Sequence, residues 1–358
     1  MGGANLLPEM DLVMNTMKPK LILCLALALG AGVAYGQTQP RGEIPREVLA
    51  FYYPWYSVDR SGTNGMHWGI INAAAHDAGA TVHYPARGVY NSMDPALVKS
   101  HIELAKSNGI TGFVVSWFGQ KSKQERNDAS IPLLLKCANE EHFKISLYWE
   151  TAPGSGAERN ARAVDDLVYL VTQFGTNDAF LKVGGKPVIF IYERVESQIP
   201  KAAWPGILAE ARRKAGPFLL IADKYEDANA RLFDGVHRYN ISWALVGKTA
   251  VELHAWAAQY DGDALKLAQQ YHRISCVTVI PGYNDTKMRK PGRNVERKDG
   301  TVYRALWEEA IKAKPDWVVI VSWNEWLEGT EIEPSVEDGD EYLKLTAGYA
   351  GRFLGAKP

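Results

Sequence analysis

Eight short apolar runs, separated mostly by stretches of helical periodicity, constrain this chain more than any other feature. They cover residues 48–53, 110–117, 144–149, 187–192, 218–222, 235–239, 276–280 and 317–321. Each is nearly continuous in hydrophobic residues, the pattern of strands buried on both faces. Between them the spacing changes to that of helices. Asp94 is placed to cap one, with Pro95 in its first turn and Val98, Ile102 and Ala105 along one face. Further helices are predicted over 131–141, 163–174, 202–215, 250–271, 303–314 and 341–353. Eight strand–helix units in one α/β domain predict a (β/α)8 TIM barrel, its long βα loops forming a cleft. An open doubly wound sheet is the alternative topology.

The 358 residues are 46% hydrophobic with a formal net charge of -1. That is ample for a core, and it argues against nucleic acid or an anionic membrane surface as the main partner. No zinc-site spacing and no glycine-rich phosphate loop is present, so neither a metal nor another cofactor is expected. At the N-terminus, Lys18 and Lys20 precede an apolar stretch over 21–33 and then Ala34-Tyr35-Gly36. This reads as a signal peptide over 1–36, a linker over 37–46 and a catalytic barrel over 47–358. The expected product is exported, periplasmic or secreted, with no membrane span once the signal is removed. Cys137 and Cys276 lie in apolar contexts and read as buried thiols.

A barrel enzyme keeps its chemistry at the C-terminal ends of its strands. Polar and aromatic residues fall there repeatedly: Tyr52, Tyr53 and Trp55; Ser116 and Trp117; Trp149 and Glu150; Tyr192 and Glu193; Asp223 and Lys224; Tyr239; Tyr283 and Asp285. The last strand opens into VSWNEWLEGTEIEPS, with Asn324, two tryptophans, and glutamates at 325, 328, 331 and 333. Carboxylates beside indoles suit a cleft that binds sugar and cleaves glycosidic bonds, the acids supplying proton transfer and the rings stacking on pyranose faces. An exposed acidic loop would carry the same letters.

Taken together, YYPWY at 52–56, His67-Trp68, YNSMDP at 90–95, VVSWFG around Trp117, Glu150, FDGVHRY at 233–239, PGYNDT at 281–286 and WNEWLEGTEIEP at 323–334 resemble glycoside hydrolase family 99, the endo-α-1,2-mannosidase and endo-α-mannanase family. The resemblance covers nearly the whole chain after residue 47. It implies a retaining endo-glycosidase without a metal, acting on α-mannan or mannose-containing glycans. It also implies a mechanism in which the sugar's own 2-hydroxyl displaces the leaving group through a 1,2-anhydro intermediate. Glu325 matches the base and Glu328 the general acid. The binding positions implied are Tyr52, Tyr53, His67, Trp117, Glu150, Tyr239, Tyr283, Asn324 and Trp326. Strand alternation allows only one of Tyr52 and Tyr53 to face the cleft. Trp117 reads equally as a core residue, His67 as an ordinary loop histidine, and Lys224 as half of an internal ion pair. The family usually has histidine where this chain has Leu327, and often glutamine where it has Glu331. Related barrel proteins of polysaccharide synthesis share the Glu-containing loop, and a non-hydrolytic or carbohydrate-binding role is the competing reading.

Overall fold

The computed structural model describes residues 44–120 and 126–355. The expected signal peptide, and the linker up to residue 43, lie outside the described residues. Eight parallel strands form the centre: β1 Glu47–Tyr52, β2 Gly112–Trp117, β3 Lys144–Trp149, β4 Lys186–Ile191, β5 Leu219–Asp223, β6 Gly235–His237, β7 Ile274–Val279 and β8 Trp317–Ile320. Each pairs with its neighbours in chain order. The ring closes where β8 lies beside β1, from Glu47 opposite Trp317 to Ala50 opposite Ile320. This is the (β/α)8 barrel, and closure excludes the open doubly wound sheet.

The outer layer follows the expected helices closely. After β1 comes α1, Pro95–Ser107, where the Asp94 side chain accepts from the N–H of Ala96. Then come α2 Ile131–Glu141 and α3 Gly156–Tyr169, the latter running on into one wider turn over Leu170–Phe174. Two short helices were not expected, α4 Glu193–Gln198 and α6 Asp227–Leu232. Both are polar single turns and a half, too short to show an apolar face. The remaining helices are α5 Trp204–Ala215, α7 Ala250–Gln270, α8 Thr301–Ala313 and α9 Glu341–Gly355. Cys137 and Cys276 are both buried.

Inward-facing side chains make an aromatic floor. Phe51 of β1 lies 4.7 Å from Tyr148 of β3, 6.4 Å from Phe190 of β4 and 5.9 Å from His237 of β6, ring centre to ring centre. Burial lowers the pKa of His237, so it sits in this layer as a neutral ring. The loops above the floor are elaborated in two places. The β1 loop carries a four-stranded antiparallel ribbon over 57–78, and the β7 loop a hairpin pairing Tyr283–Asn284 with Asn294–Val295.

Neighbouring strands crowd Gly235 in β6. A Cβ there would lie 2.9 Å from both Cβ and the carbonyl oxygen of Ile274, and 2.5 Å from Cδ1 of Ile221. Gly235→Ala is therefore expected to cost about 1–3 kcal/mol of stability through overpacking. Chemical denaturation of the purified variant beside the wild type checks this.

Candidate active site

A small cleft of about 140 Å³ opens at the C-terminal end of the barrel. Tyr53 and Trp55 line it from the β1 loop, Phe118 from β2, Tyr148 and Glu150 from β3, and Tyr192 and Arg194 from β4. Tyr239 follows β6, Met288 and Arg289 come from the β7 loop, and Glu325, Leu327 and Glu328 from the loop after β8. The described residues thus bring Tyr53, Glu150, Tyr239, Glu325 and Glu328 of the expected set to one space.

The β8 loop is held by backbone ladders rather than by helix or sheet. Trp323 N–H donates to the Phe51 carbonyl at 2.8 Å, and Ser322 N–H to the Thr330 carbonyl at 2.8 Å. Asn324 takes both backbone groups of Tyr53. Its Oδ1 accepts from Tyr53 N–H at 2.8 Å, and its Nδ2 donates to the Tyr53 carbonyl at 3.0 Å. Asn324 is fully buried, so it positions Tyr53 and the loop rather than touching substrate. Trp326 is likewise buried. Its indole N–H donates to the Tyr90 hydroxyl at 3.0 Å and to Glu333 at 3.3 Å.

The four glutamates of this loop divide into two pairs. Glu333 accepts from Tyr90 at 2.8 Å and pairs with His101 Nε2 at 2.9 Å. Glu331 is held by Arg297 at 2.5 Å and His83 at 2.6 Å. His83, Glu331 and Asp338 cluster closely enough to hold a metal ion, but the Arg297 guanidinium supplies the positive charge there, 3.1 Å from Asp338. Glu325 and Glu328 are the pair that faces the cleft.

Three more expected site residues lie elsewhere. Tyr52 points outward to α1, its hydroxyl bonded to His101 Nδ1 at 3.2 Å and its ring stacked on Phe113 at 4.7 Å. Trp117 also points outward. Its N–H donates to Asp128 at 2.8 Å and its ring lies parallel to that of Tyr169. Adjacent side chains on a strand take opposite faces, so Phe118 is the cleft residue at the end of β2. His67 stacks on Trp55 at 4.7 Å, bracing a cleft residue from behind. Tyr283 belongs to the site through its hydroxyl, which lies 2.8 Å from Asp285 and 3.2 Å from Glu328. Lys224 pairs with Glu193 at 3.6 Å. The sequence reading did not single out Phe118, Arg194, Met288 or Arg289. Parity along β2 carried the signal for Phe118, and the DTKMR stretch after Tyr283 offered none for the other two loop residues.

Electrostatics separate the three cleft carboxylates. Burial lifts the Glu150 pKa to about 7, opposed by the Ser116 hydroxyl at 2.9 Å and Arg194 at 3.4 Å. Burial also raises Glu325 well above the usual carboxylate range, helped by the charges of Glu328 and Glu150. The Leu327 N–H at 3.2 Å opposes this. Glu328 is raised by burial too, but Arg289 and the hydroxyls of Tyr283 and Tyr239 work against the rise. Two neighbouring acids with such different surroundings titrate as a coupled pair. Arg289 lies 3.1 Å from Glu328 and opposes the rise there most directly.

Residues 44–347 match the family model described as glycosyl hydrolase family 99. This chain belongs to that family. It is a glycoside hydrolase. A glycoprotein endo-alpha-1,2-mannosidase-like protein of Danio rerio is 24% identical over 373 residues, covering 90% of this chain and 81% of its own. Glycoprotein endo-alpha-1,2-mannosidase of Rattus norvegicus is 25% identical over 326 residues, covering 81% and 68%. The solved GH99 endo-alpha-mannosidase from Bacteroides thetaiotaomicron overlays with a TM-score of 0.70 at 25% identity, over 86% of this chain and 97% of that one.

Three expectations test this family 99 cleft. Glu150 binds its proton more tightly folded than unfolded, so its contribution to stability is full below pH about 4.5 and is lost as pH rises to about 7. Glu150→Gln should therefore gain on the order of 1–3 kcal/mol over wild type at pH 8 and little at pH 4, read from thermal melts at both values. Trp117→Ala should lose about 3–5 kcal/mol of stability. Phe118→Ala should keep a near-native melt while kcat/KM falls roughly 10-fold or more.

Proposed function

We propose that this family 99 enzyme is an endo-acting α-mannosidase that cuts internal α-1,2-type linkages in mannan or N-glycan-like chains with retention of configuration. The observation that carries the proposal is the pair Glu325 and Glu328, facing one cleft from one loop in a chain of this family. The named activity of the rat relative and of the Bacteroides structure supports mannose as the sugar at the cleaved bond.

In an α-mannoside the axial 2-hydroxyl lies trans to the leaving group. Glu325 takes the proton of that hydroxyl as O2 attacks C1, and Glu328 gives its own proton to the glycosidic oxygen. The O2–C1 bond forms and the bond from C1 to the leaving oxygen breaks. Water then attacks C1 of the anhydro sugar, Glu328 takes the water's proton and Glu325 returns its proton to O2. Two inversions give net retention. The hydroxyls of Tyr239 and Tyr283, 3.3 and 3.2 Å from Glu328, are held neutral by burial and serve as donors to the acid in its charged form. Tyr53 donates to the Tyr239 hydroxyl at 2.7 Å and completes that chain.

Leu327 and Met288 place apolar surface on the cleft wall, where a histidine side chain would offer a hydrogen bond. The sugar on the Glu328 side therefore meets no polar partner from position 327, and this is where the chain's preference departs from that of a histidine-bearing relative. The basic, apolar and small-residue pattern over 18–36 supports export of the enzyme. No described helix is long and apolar enough to cross a membrane.

Mass spectrometry of products from branched α-mannan tests the reading. Wild type should release disaccharides or longer fragments, with none from Glu328→Gln, whose affinity for oligosaccharide persists. Release of mannose alone, or equal turnover by the variant, rejects it.

A further inference from the structure

Arg289 reaches Glu328 from the β7 loop. Both of its terminal nitrogens donate to the same oxygen, Glu328 Oε1, at 3.1 and 3.2 Å. Nη1 also donates to the Tyr283 hydroxyl at 2.6 Å and to Asp285 Oδ2 at 2.5 Å. Asp285 is fixed in turn, accepting the Arg293 N–H at 2.6 Å. The guanidinium is thus anchored through Nη1 on a buried carboxylate, while the side chain lines the cleft and is 50% exposed to solvent. Among the described residues Glu325 has no such partner. Arg194, the other arginine lining the cleft, pairs with Glu150 instead. The remaining charged and titratable groups facing Glu328 are Tyr239 from the β6 end, Tyr283 and Asp285 from the β7 loop, and Glu325 on its own loop. Glu150, Tyr53 and Tyr192 face it across the cleft.

We propose that Arg289 is the positioning residue that decides which carboxylate of the pair holds their shared proton, keeping Glu328 anionic and the proton on Glu325 until a leaving-group sugar displaces the guanidinium. This rests on the acid and base roles proposed above. Glu328 is needed as an anion when it activates water, and as an acid when the leaving group departs. A charge on a half-exposed arm, tied down at only one end, provides for both. With the arm on Glu328, the anion is stabilised at short range in a poorly solvated cleft. With the arm displaced by sugar, burial favours the neutral acid at the same position, and the proton passes from Glu325 to Glu328. No atom is lost or gained.

The test is a carboxylate titration by carbon NMR of the full chain labelled at glutamate Cδ, with the Glu328 signal assigned by its disappearance in Glu328→Gln. In Arg289→Met the Glu328 midpoint should rise by a full pH unit or more, and Arg289→Lys should restore most of the wild-type value. An unmoved midpoint in folded Arg289→Met, or a lysine variant that behaves like the methionine one, overturns the proposal. In kinetics, the alkaline limb of kcat/KM should shift to higher pH in Arg289→Met, because the pair's last proton is then harder to remove. A limb that stays in place also overturns it. The titration needs no turnover. A wild type that cleaves no mannan, but whose Glu328 midpoint responds to Arg289, rejects the proposed function and leaves the proton assignment standing.

Discussion

One buried amide joins the two ends of this barrel at the point where its chemistry lies. Asn324 takes both backbone groups of Tyr53, so the exit of the last strand is tied to the exit of the first. Its own carbonyl accepts from the Tyr56 hydroxyl at 3.0 Å, and the same hydroxyl accepts from Trp326 N–H at 3.0 Å. A loop that would otherwise be free after β8 is thereby fixed on both sides of Glu325. A buried amide left with half its partners costs about 1–3 kcal/mol, so this arrangement tolerates little slippage. The direction of Glu325 and Glu328 follows from it. So does the burial of Trp326, which cannot face the cleft while its backbone N–H is held by Tyr56.

The cleft gathers three carboxylates over an aromatic floor, and each is managed differently. Glu150 has a serine hydroxyl and a distant arginine, Glu328 a close arginine and two tyrosines, and Glu325 little beyond one backbone N–H. The three thus differ in what opposes the effect of burial, although all are glutamates in one small volume. In the same loop the same residue type does plain structural work. Glu331 and Glu333 are more deeply buried than Glu328 and are tied to Arg297, His83, His101 and Tyr90.

The barrel was legible because both faces of each strand are buried, which writes eight apolar runs into the chain. Strand ends were therefore located within a residue or two, and the clustering of acids and aromatics after them was real. Direction was less legible. Tyr52 beside Tyr53 and Trp117 beside Phe118 are near neighbours in type, and only strand parity separates the outward member from the inward one. From sequence the choice between Tyr52 and Tyr53 stayed open, and Trp117 was taken without applying the same parity to Phe118; the structure turns Tyr53 and Phe118 inward. Asn324 and Trp326 were named as sugar contacts on the family resemblance. Here the loop folds back on β1 and buries them. Arg289 was invisible because its importance comes from a side chain crossing to another loop, which no local pattern encodes.

The seam between β1 and β8 has a consequence for how the chain is made. Its partners stand some 270 residues apart, and α9 adds to the same side of the barrel, where the Phe353 carbonyl accepts from Arg46 at 2.9 Å. The first strand therefore emerges from the ribosome long before its neighbour exists, and the ring stays open until nearly the whole chain has been synthesised. Contacts this distant in sequence form late and slowly. A polypeptide that cannot lock its barrel early leaves its first and last strand edges unpaired until synthesis is nearly complete, so the closing seam is the last part of the ring to be protected.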